Sequence, residues 1–183
     1  MSRNQNIVVK TSRACSFLLR HQPQAAGLTL DPQGWIAVDE LLAGLARINR
    51  RADRALLERV VAENDKQRFE FSPDGGRIRA RQGHSVSVDL GLDPQVPPDA
   101  LWHGTVARFL PKIHKDGLQP QGRHHVHLSA DRATATAVGN RRGSAVLLRV
   151  DAAAMDRAGH RFYCTANGVW LTDGVPPGFL DTV

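Results

Sequence analysis

The chain has 183 residues, of which 42% are hydrophobic, and a formal net charge of +6. This length allows one domain or two small ones, and the apolar content excludes a wholly disordered chain. Most of the positive charge is arginine, which suits bidentate phosphate recognition better than lysine does. A GC-rich genome would produce the same bias, so basicity alone does not establish a nucleic-acid partner.

The two cysteines, Cys15 and Cys164, match neither a zinc-binding spacing nor a disulfide framework. We expect both to be buried thiols in a reducing compartment. The N-terminus lacks the apolar core of a secretion signal, and no apolar run reaches membrane-spanning length. The sequence therefore predicts a soluble, cytoplasmic protein with no membrane partner.

The first half of the chain predicts helices followed by a β-hairpin. A broad apolar face indicates a first helix, which Pro23 prevents from continuing past His21. Asp53 is a good N-cap for the third helix. Helices with a terminal basic hairpin suggest a winged-helix module. The predicted elements are helices over 6–20, 37–45 and 53–63 and hairpin strands over 68–71 and 77–81.

The second half predicts short apolar strands alternating with helices. It follows a stretch rich in Gly, Pro and Asp over 90–98, where we place a domain boundary. Gly117 is expected to end one helix and Ser129 to cap the next. The predicted strands cover 100–103, 125–128, 145–150, 162–164 and 169–171, and the predicted helices cover 106–115, 130–138 and 151–157.

The first candidate site is the pair Arg20-His21 at the end of the first predicted helix. A basic pair there also complements the helix dipole, so a purely structural role fits about equally well. The following Pro23 fixes the direction of the two side chains, which favours a phosphate site. Arg68 and Arg123, in contrast, have the character of solvated surface arginines when judged from the sequence alone.

A second group of candidates is formed by histidines, hydroxyls and glycines in the second half. In His103-Gly104-Thr105 the glycine would let a ligand approach the backbone, while the threonine equally fits a helix cap. His124, His125 and His127 suggest a metal site, but no cysteine pair or further histidine motif supplies the remaining ligands. A nucleotide-binding role for one histidine is favoured, and an ordinary core or surface role stays open.

Several motifs occur together along the chain. In the first half they are Leu19-Arg20-His21-x-Pro23, Gly27-Leu28-x-Leu30-Asp31-x-x-Gly34-Trp35 and Lys66-x-Arg68-Phe69. In the second half they are His103-Gly104-Thr105, Gly117-Leu118, Arg123-x-His125-Val126-His127-Leu128-Ser129, Gly139-x-Arg141-Arg142-Gly143 and Asn167-Gly168-Val169-Trp170-Leu171. In this content and order the chain resembles the RNA 2′-phosphotransferase family, the Tpt1/KptA enzymes, over essentially its whole length.

The resemblance implies an α+β protein with two lobes. The N-terminal lobe, over residues 1–90, would be a winged-helix lobe that binds RNA. The C-terminal lobe, over residues 99–183, would be a mixed β lobe like the ADP-ribosyltransferases and would bind NAD. The implied partners are NAD and 2′-phosphorylated, tRNA-like RNA, and we expect a monomer.

The resemblance also implies the reaction, in which NAD is consumed as co-substrate and no metal is needed. An internal RNA 2′-phosphate would attack the nicotinamide ribose and release nicotinamide, leaving an ADP-ribosylated RNA intermediate. The ribose 2″-hydroxyl would then attack phosphorus, giving 2′-hydroxyl RNA and ADP-ribose 1″,2″-cyclic phosphate. In organisms with tRNA splicing, the target would be the 2′-phosphate at the splice junction.

The family's catalytic quartet corresponds to Arg20, His21, Arg68 and Arg123. We expect Arg68 and Arg123 to clamp the phosphate and the other two to act mainly in the second step, with all four converging on one phosphate. Val169 would stand where many ADP-ribosyltransferases carry a catalytic glutamate. The implied NAD contacts are His103, Gly104, Thr105, His127, Leu128, Ser129, Gly139, Arg141 and Arg142, of which the last three are candidates for either the ADP pyrophosphate or the RNA.

Two other functions compete with this hypothesis. One is an ADP-ribosyltransferase that modifies nucleic-acid phosphates and stops after the first step, which would leave a stable ADP-ribosylated product. The other is a winged-helix nucleic-acid-binding module with a nucleotide-sensing domain. It would bind nucleic acid with an affinity that falls with salt, but it would show no turnover.

Overall fold

A computed structural model describes residues 3–64 and 66–183, with side chains described from residue 5 onward. This part of the chain contains six α-helices and two antiparallel sheets, which confirms the predicted α+β class. It divides into two compact units, Met1–Gly91 and Leu92–Val183. The division falls inside the stretch over 90–98 where the composition changes.

The first unit consists of three helices and one small sheet. All three predicted helices and the predicted hairpin are confirmed, but the short strand before the second helix was not predicted. The Asp53 side chain accepts a hydrogen bond from the Leu56 N–H at 2.8 Å, which confirms it as an N-cap. The elements are α1 (Arg3–Arg20), β1 (Ile36–Ala37), α2 (Val38–Arg47), α3 (Arg54–Ala62), β2 (Phe69–Phe71) and β3 (Arg77–Ala80), and the sheet order is β1-β3-β2.

The core of the first unit lies between the helices and the sheet. Leu18, Leu57 and Ile78 are fully buried in it. Cys15 is buried as predicted, and desolvation raises the pKa of its thiol to about 12. Phe17, an apolar residue of the same helix, is 39% exposed, because α1 buries only one side against the unit.

The second unit is built on a six-stranded sheet in which all paired neighbours are antiparallel. Its C-terminal edge strand was not predicted, since three residues after a proline-rich turn carry little periodicity. The strands are β4 (Ala100–Val106), β5 (Val126–Ser129), β6 (Ala145–Asp151), β7 (Tyr163–Cys164), β8 (Val169–Thr172) and β9 (Leu180–Thr182), in the order β7-β8-β5-β4-β6-β9. The helices are α4 (Leu110–Asp116), α5 (Arg132–Gly139) and α6 (Ala152–Arg157).

Strand β4 is longer than the sequence predicted. Its last residues, through Val106, pair with the start of β6, where Thr105 lies opposite Val146. A short 3-10 turn over 107–109 follows, and α4 begins only next to Pro111. The helix predicted from residue 106 therefore starts later, and Thr105 is a buried strand residue rather than a helix cap.

The expected helix boundaries in this unit are partly correct. Gly117, at φ 75°, ends α4 as predicted. The N-cap of α5 is Asp131, whose carboxylate accepts from the Thr134 N–H at 2.7 Å. The prediction that Ser129 caps this helix is wrong, because Ser129 is the last residue of β5.

The core of the second unit packs on the sheet and includes the fully buried Leu101, Leu148 and Met155. Cys164 lies at the end of β7 and is only half-buried, so its predicted burial is wrong. Within the described residues, none of the helices has the length and apolarity that crossing a membrane would require.

Candidate functional site

Three of the four predicted catalytic residues meet in the first unit. The C-terminal end of α1 lies beside the entry to β2, so Arg20 reaches a residue 48 positions away. Its Nη2 donates to the backbone carbonyl of Arg68 at 3.3 Å, and its guanidinium carbon lies 5.9 Å from the centre of the Phe69 ring. These contacts with an aromatic ring and a backbone carbonyl help to fix the position of the Arg20 guanidinium.

Ser85 connects Arg20 with His21. The Ser85 N–H donates to the carbonyl of Arg20 at 2.8 Å, and its hydroxyl donates to the same carbonyl at 3.4 Å. Nδ1 of His21 lies 3.0 Å from the Ser85 hydroxyl oxygen. The serine therefore fixes the imidazole ring, although nothing in the sequence singles it out.

A buried asparagine orients Arg68. Oδ1 of Asn64 accepts from Nη1 of Arg68 at 2.9 Å and from the Lys66 N–H at 3.1 Å, while its Nδ2 donates to the Ser12 hydroxyl at 3.2 Å. The Asn64 residue is 8% exposed. The amide oxygen of Asn64 thereby fixes the orientation of the Arg68 guanidinium. The sequence offered no signal for Asn64, which follows the last turn of α3.

A groove of about 490 Å³ lies next to these residues in the first unit. One wall comes from successive turns of α1 and the other from the segment that follows α3. The lining includes Arg13, Phe17 and His21 from the first wall and Asn64, Lys66 and Arg68 from the second.

In the second unit, His103 bridges the two central strands. The pairing between β4 and β5 consists of Trp102 opposite Ser129. Farther along, Nδ1 of His103 lies 3.1 Å from the backbone carbonyl of His127. A carbonyl can only accept, so Nδ1 carries the hydrogen. The His103 imidazole therefore donates a hydrogen bond to a backbone carbonyl of β5. In a regular sheet, such a carbonyl would accept from a backbone N–H of the neighbouring strand.

Positive charge is concentrated around His103. Desolvation lowers the pKa of His103, and the positive charges of Arg142 and Arg123 lower it further. The ring is therefore neutral at pH 7, with Nδ1 protonated and Nε2 as an acceptor. Partial desolvation, and then the charge of Arg142, also lowers the pKa of Arg123. The fourth predicted catalytic residue thus lies within electrostatic reach of two predicted NAD contacts.

Two of the predicted NAD-contact glycines pack a helix onto a strand. A Cβ atom on Gly104 would overlap the backbone carbonyl oxygen of Ala135 in α5. A Cβ on Gly139 would come within 2.9 Å of the Ala145 side chain and 3.1 Å of the Thr105 carbonyl oxygen. Both glycines therefore allow α5 to lie directly on β4, a packing role that the sequence interpretation did not include.

The remaining predicted contacts occupy different environments. Leu128 is 2% exposed and belongs to the apolar core. His127 and Ser129 are half-buried on β5, and Ser129 pairs with Val169. Arg141 is exposed in a 3-10 turn over 140–142 that also carries Arg142.

The other histidines near β5 have local partners. Nε2 of His125 lies 3.6 Å from a carboxylate oxygen of Asp173, and its ring meets the Tyr163 ring edge-on. Nδ1 of His127 donates to the carbonyl of His125 at 3.1 Å. Among the described residues, no group of three His, Cys, Asp or Glu side chains is arranged to hold a metal ion.

Comparison with known proteins gives a consistent result. The model of the family described as RNA 2′-phosphotransferase, Tpt1/KptA family, matches residues 6–174. A protein of Streptomyces griseus, named "Probable RNA 2′-phosphotransferase", is 56% identical over 179 residues, which cover 94% of this chain and 95% of the relative. A relative of the same name from Pseudomonas paraeruginosa is 58% identical over 93% of this chain and 94% of the relative. Another, from Rhodopirellula baltica, is 53% identical over 94% of this chain and 95% of the relative.

Proposed function

The chain belongs to the RNA 2′-phosphotransferase, Tpt1/KptA family, and from this premise we propose that it removes an internal 2′-phosphate from RNA in a reaction that consumes NAD. The products would be 2′-hydroxyl RNA, nicotinamide and ADP-ribose 1″,2″-cyclic phosphate. The observation that carries the proposal beyond family membership is the grouping of Arg20, His21 and Arg68 in the first unit. Basic side chains grouped in this way suit the binding of a phosphate.

The first chemical step would join the RNA phosphate to the ribose of NAD. A phosphate oxygen attacks the anomeric carbon of the nicotinamide ribose, and the bond from that carbon to nicotinamide breaks, so nicotinamide leaves as a neutral molecule. The 2′-phosphate is already a charged nucleophile and needs orientation more than activation. Arg68, which Asn64 holds, is placed to provide this orientation, and we assign Arg123 the same task.

The second step would release the RNA. The ribose 2″-hydroxyl loses its proton as its oxygen attacks phosphorus, the bond from phosphorus to the RNA 2′-oxygen breaks, and that 2′-oxygen takes up a proton. Extra negative charge develops on the phosphoryl oxygens in the transition state, which fixed guanidinium groups stabilise. We assign this step mainly to Arg20 and His21, whose positions are linked through Ser85. His21 is suited to hydrogen-bond a phosphoryl oxygen or to move the proton.

The chemistry around His103 suits a dinucleotide. Nε2 of the neutral ring accepts a hydrogen bond, as a ribose hydroxyl requires, and the nearby Arg123 and Arg142 suit a pyrophosphate. We therefore propose that the second unit binds NAD. This role accords with an ADP-ribosyltransferase-like lobe, while the three helices and small sheet of the first unit accord with a winged-helix lobe.

The direct test is to incubate the protein with an oligoribonucleotide that carries one internal 2′-phosphate, with and without NAD. We expect loss of the 2′-phosphate and release of one nicotinamide per RNA, both only with NAD. Persistence of the 2′-phosphate with no nicotinamide released would refute the proposal. Accumulation of a stable ADP-ribosylated RNA would instead identify a transferase that stops after the first step.

A further inference from the structure

One face of α1 combines an aromatic side chain with cations. Arg13 and Phe17 lie four residues apart on the same face of α1. His21 directly follows the end of α1, and its N–H donates to the Phe17 carbonyl at 3.1 Å, so it continues this face. All three line the groove of about 490 Å³. Phe17 is 39% exposed, whereas Leu18 next to it is fully buried. Phe17 therefore contributes little to the core and presents its ring to the groove.

The groove has a positive lining. Arg13, Lys66 and Arg68 supply cations, and Glu63 is the acidic residue among the described lining positions. The Glu63 carboxylate is already engaged by Arg59, whose Nε lies 2.9 Å away. Positive charge beside an exposed aromatic ring is the combination that binds single-stranded nucleic acid, because cations hold the backbone phosphates while bases stack on the ring.

We propose that this groove binds the single-stranded RNA adjacent to the 2′-phosphate. Phe17 stacks a base, and Arg13 contacts a backbone phosphate. The inference rests on the proposed function, since His21 and Arg68 line the same groove and would hold the 2′-phosphate at its end. Arg13 and His21 are about 12 Å apart along the helix axis, a length that spans three or four nucleotides stacked at about 3.4 Å each.

The test measures binding of a short, fluorescently labelled single-stranded RNA to the full-length protein without NAD. The variants are Phe17→Ala and Arg13→Ala. We expect Phe17→Ala to weaken binding about tenfold, as loss of one stacked base does. Arg13→Ala should weaken binding about fivefold at low salt and reduce the dependence of log affinity on log salt by about 0.7, as loss of one phosphate contact does.

Two matched controls lie outside the described lining of the groove. Ile7→Ala removes an apolar side chain from the same helix that is 43% exposed, and Arg51→Ala removes an exposed arginine that precedes α3. Both should bind RNA within about twofold of the wild-type protein. The thermal unfolding midpoint of each variant shows whether a loss of RNA binding is caused by a loss of folding. Arg13→Glu places a negative charge at the same position and is a second test of the phosphate contact.

A second RNA that lacks the 2′-phosphate separates this proposal from the proposed function. Because Phe17 and Arg13 are assigned to the flanking strand, their variants should weaken binding of both RNAs by the same factor. The groove assignment would be overturned if folded Phe17→Ala and Arg13→Glu bound RNA within twofold of the wild-type affinity. It would also be overturned if Ile7→Ala lost as much affinity for RNA as Phe17→Ala. If the variants lose binding but the wild-type protein leaves the 2′-phosphate intact, the groove stands and the proposed reaction fails.

Discussion

The two units hold their candidate functional residues by different means. In the first unit, the residues lie at the ends of elements, and other side chains position them: Asn64 holds Arg68, and Ser85 holds His21. In the second unit, His103 lies within a central strand and is held by a backbone carbonyl, that of His127. The first arrangement depends on particular side chains, and the second depends on the spacing of the backbone.

The two predicted phosphate clamps show the same contrast. The Arg68 guanidinium is fixed by a 2.9 Å bond to a buried amide. Arg123 is exposed in the loop before β5, and among the described contacts its side chain takes part in no hydrogen bond. In the proposed reaction, Arg68 would therefore meet the phosphate already oriented, whereas ordering Arg123 on substrate binding would cost side-chain entropy.

The largest effect is expected from removing either clamp. Arg68→Ala and Arg123→Ala should each lower the rate of 2′-phosphate removal about a hundredfold or more, because each removes a cation that orients the attacking phosphate. Single-turnover kinetics with saturating NAD measures this loss, with Arg51→Ala as the control. Lysine substitutions sharpen the contrast: Arg123→Lys should keep more activity than Arg68→Lys, which also loses the geometry set by Asn64. If Arg123→Lys and Arg68→Lys had equal activities, the fixed geometry of Arg68 would not matter for catalysis.

The next largest effect should come from Gly104→Ala in the second unit. The added methyl group meets a backbone oxygen of α5, which cannot move without shifting the helix. We expect a loss of about 3 kcal/mol or more in the free energy of unfolding, measured by urea denaturation. Gly122→Ala is the matched control, since a Cβ there has no atom within 4 Å. Similar stabilities of the two variants would show that α5 packing tolerates a side chain on β4.

A smaller loss of stability and activity is expected from substitutions of Asn64, the side chain that holds Arg68. Asn64→Ala should destabilise the protein by about 1–3 kcal/mol, since a buried hydrogen-bond acceptor is lost. It should also slow turnover about tenfold through misplacement of Arg68.

Asn64→Asp separates positioning from structure. It keeps an acceptor for Arg68 but adds a negative charge, so it should raise KM for 2′-phosphorylated RNA more than it lowers kcat. If both Asn64 variants turned over RNA at the wild-type rate, Arg68 would not need its amide partner.

The smallest expected effect is a pH dependence of stability that arises from His103 in the second unit. Desolvation lowers the pKa of His103 below its ordinary value of 6.5 in the folded state. The unfolded chain then binds more protons than the folded chain just below pH 6.5, so stability present at neutral pH is lost as the pH falls through this range. The urea midpoint should therefore drop between pH 7.5 and pH 5.5, and His103→Gln should reduce that drop. An unchanged drop would mean that other groups cause it.

The sequence predicted the elements that carry strong local signals. The three helices of the first unit have clear apolar periodicity, and Asp53 is a cap whose contact lies three residues away. The strands β1 and β9 were missed because two or three residues form a strand only when a partner is present. Ser129 was assigned to the wrong element for a related reason, since its pairing with Trp102 is not visible locally.

The sequence by itself determined the chemical types present and, through ordered motifs, the family. Composition and local pattern are properties of neighbouring residues, so without any fold they predicted Arg20-His21 as a candidate site and correctly placed the helix ends at Asp53 and Gly117. Only the tertiary structure decided which groups act together: that Asn64 holds Arg68, that Ser85 holds His21, and that Gly104 and Gly139 serve packing. Hydrogen bonds and close contacts act over a few ångströms in space, and folding brings together residues that are far apart in the chain.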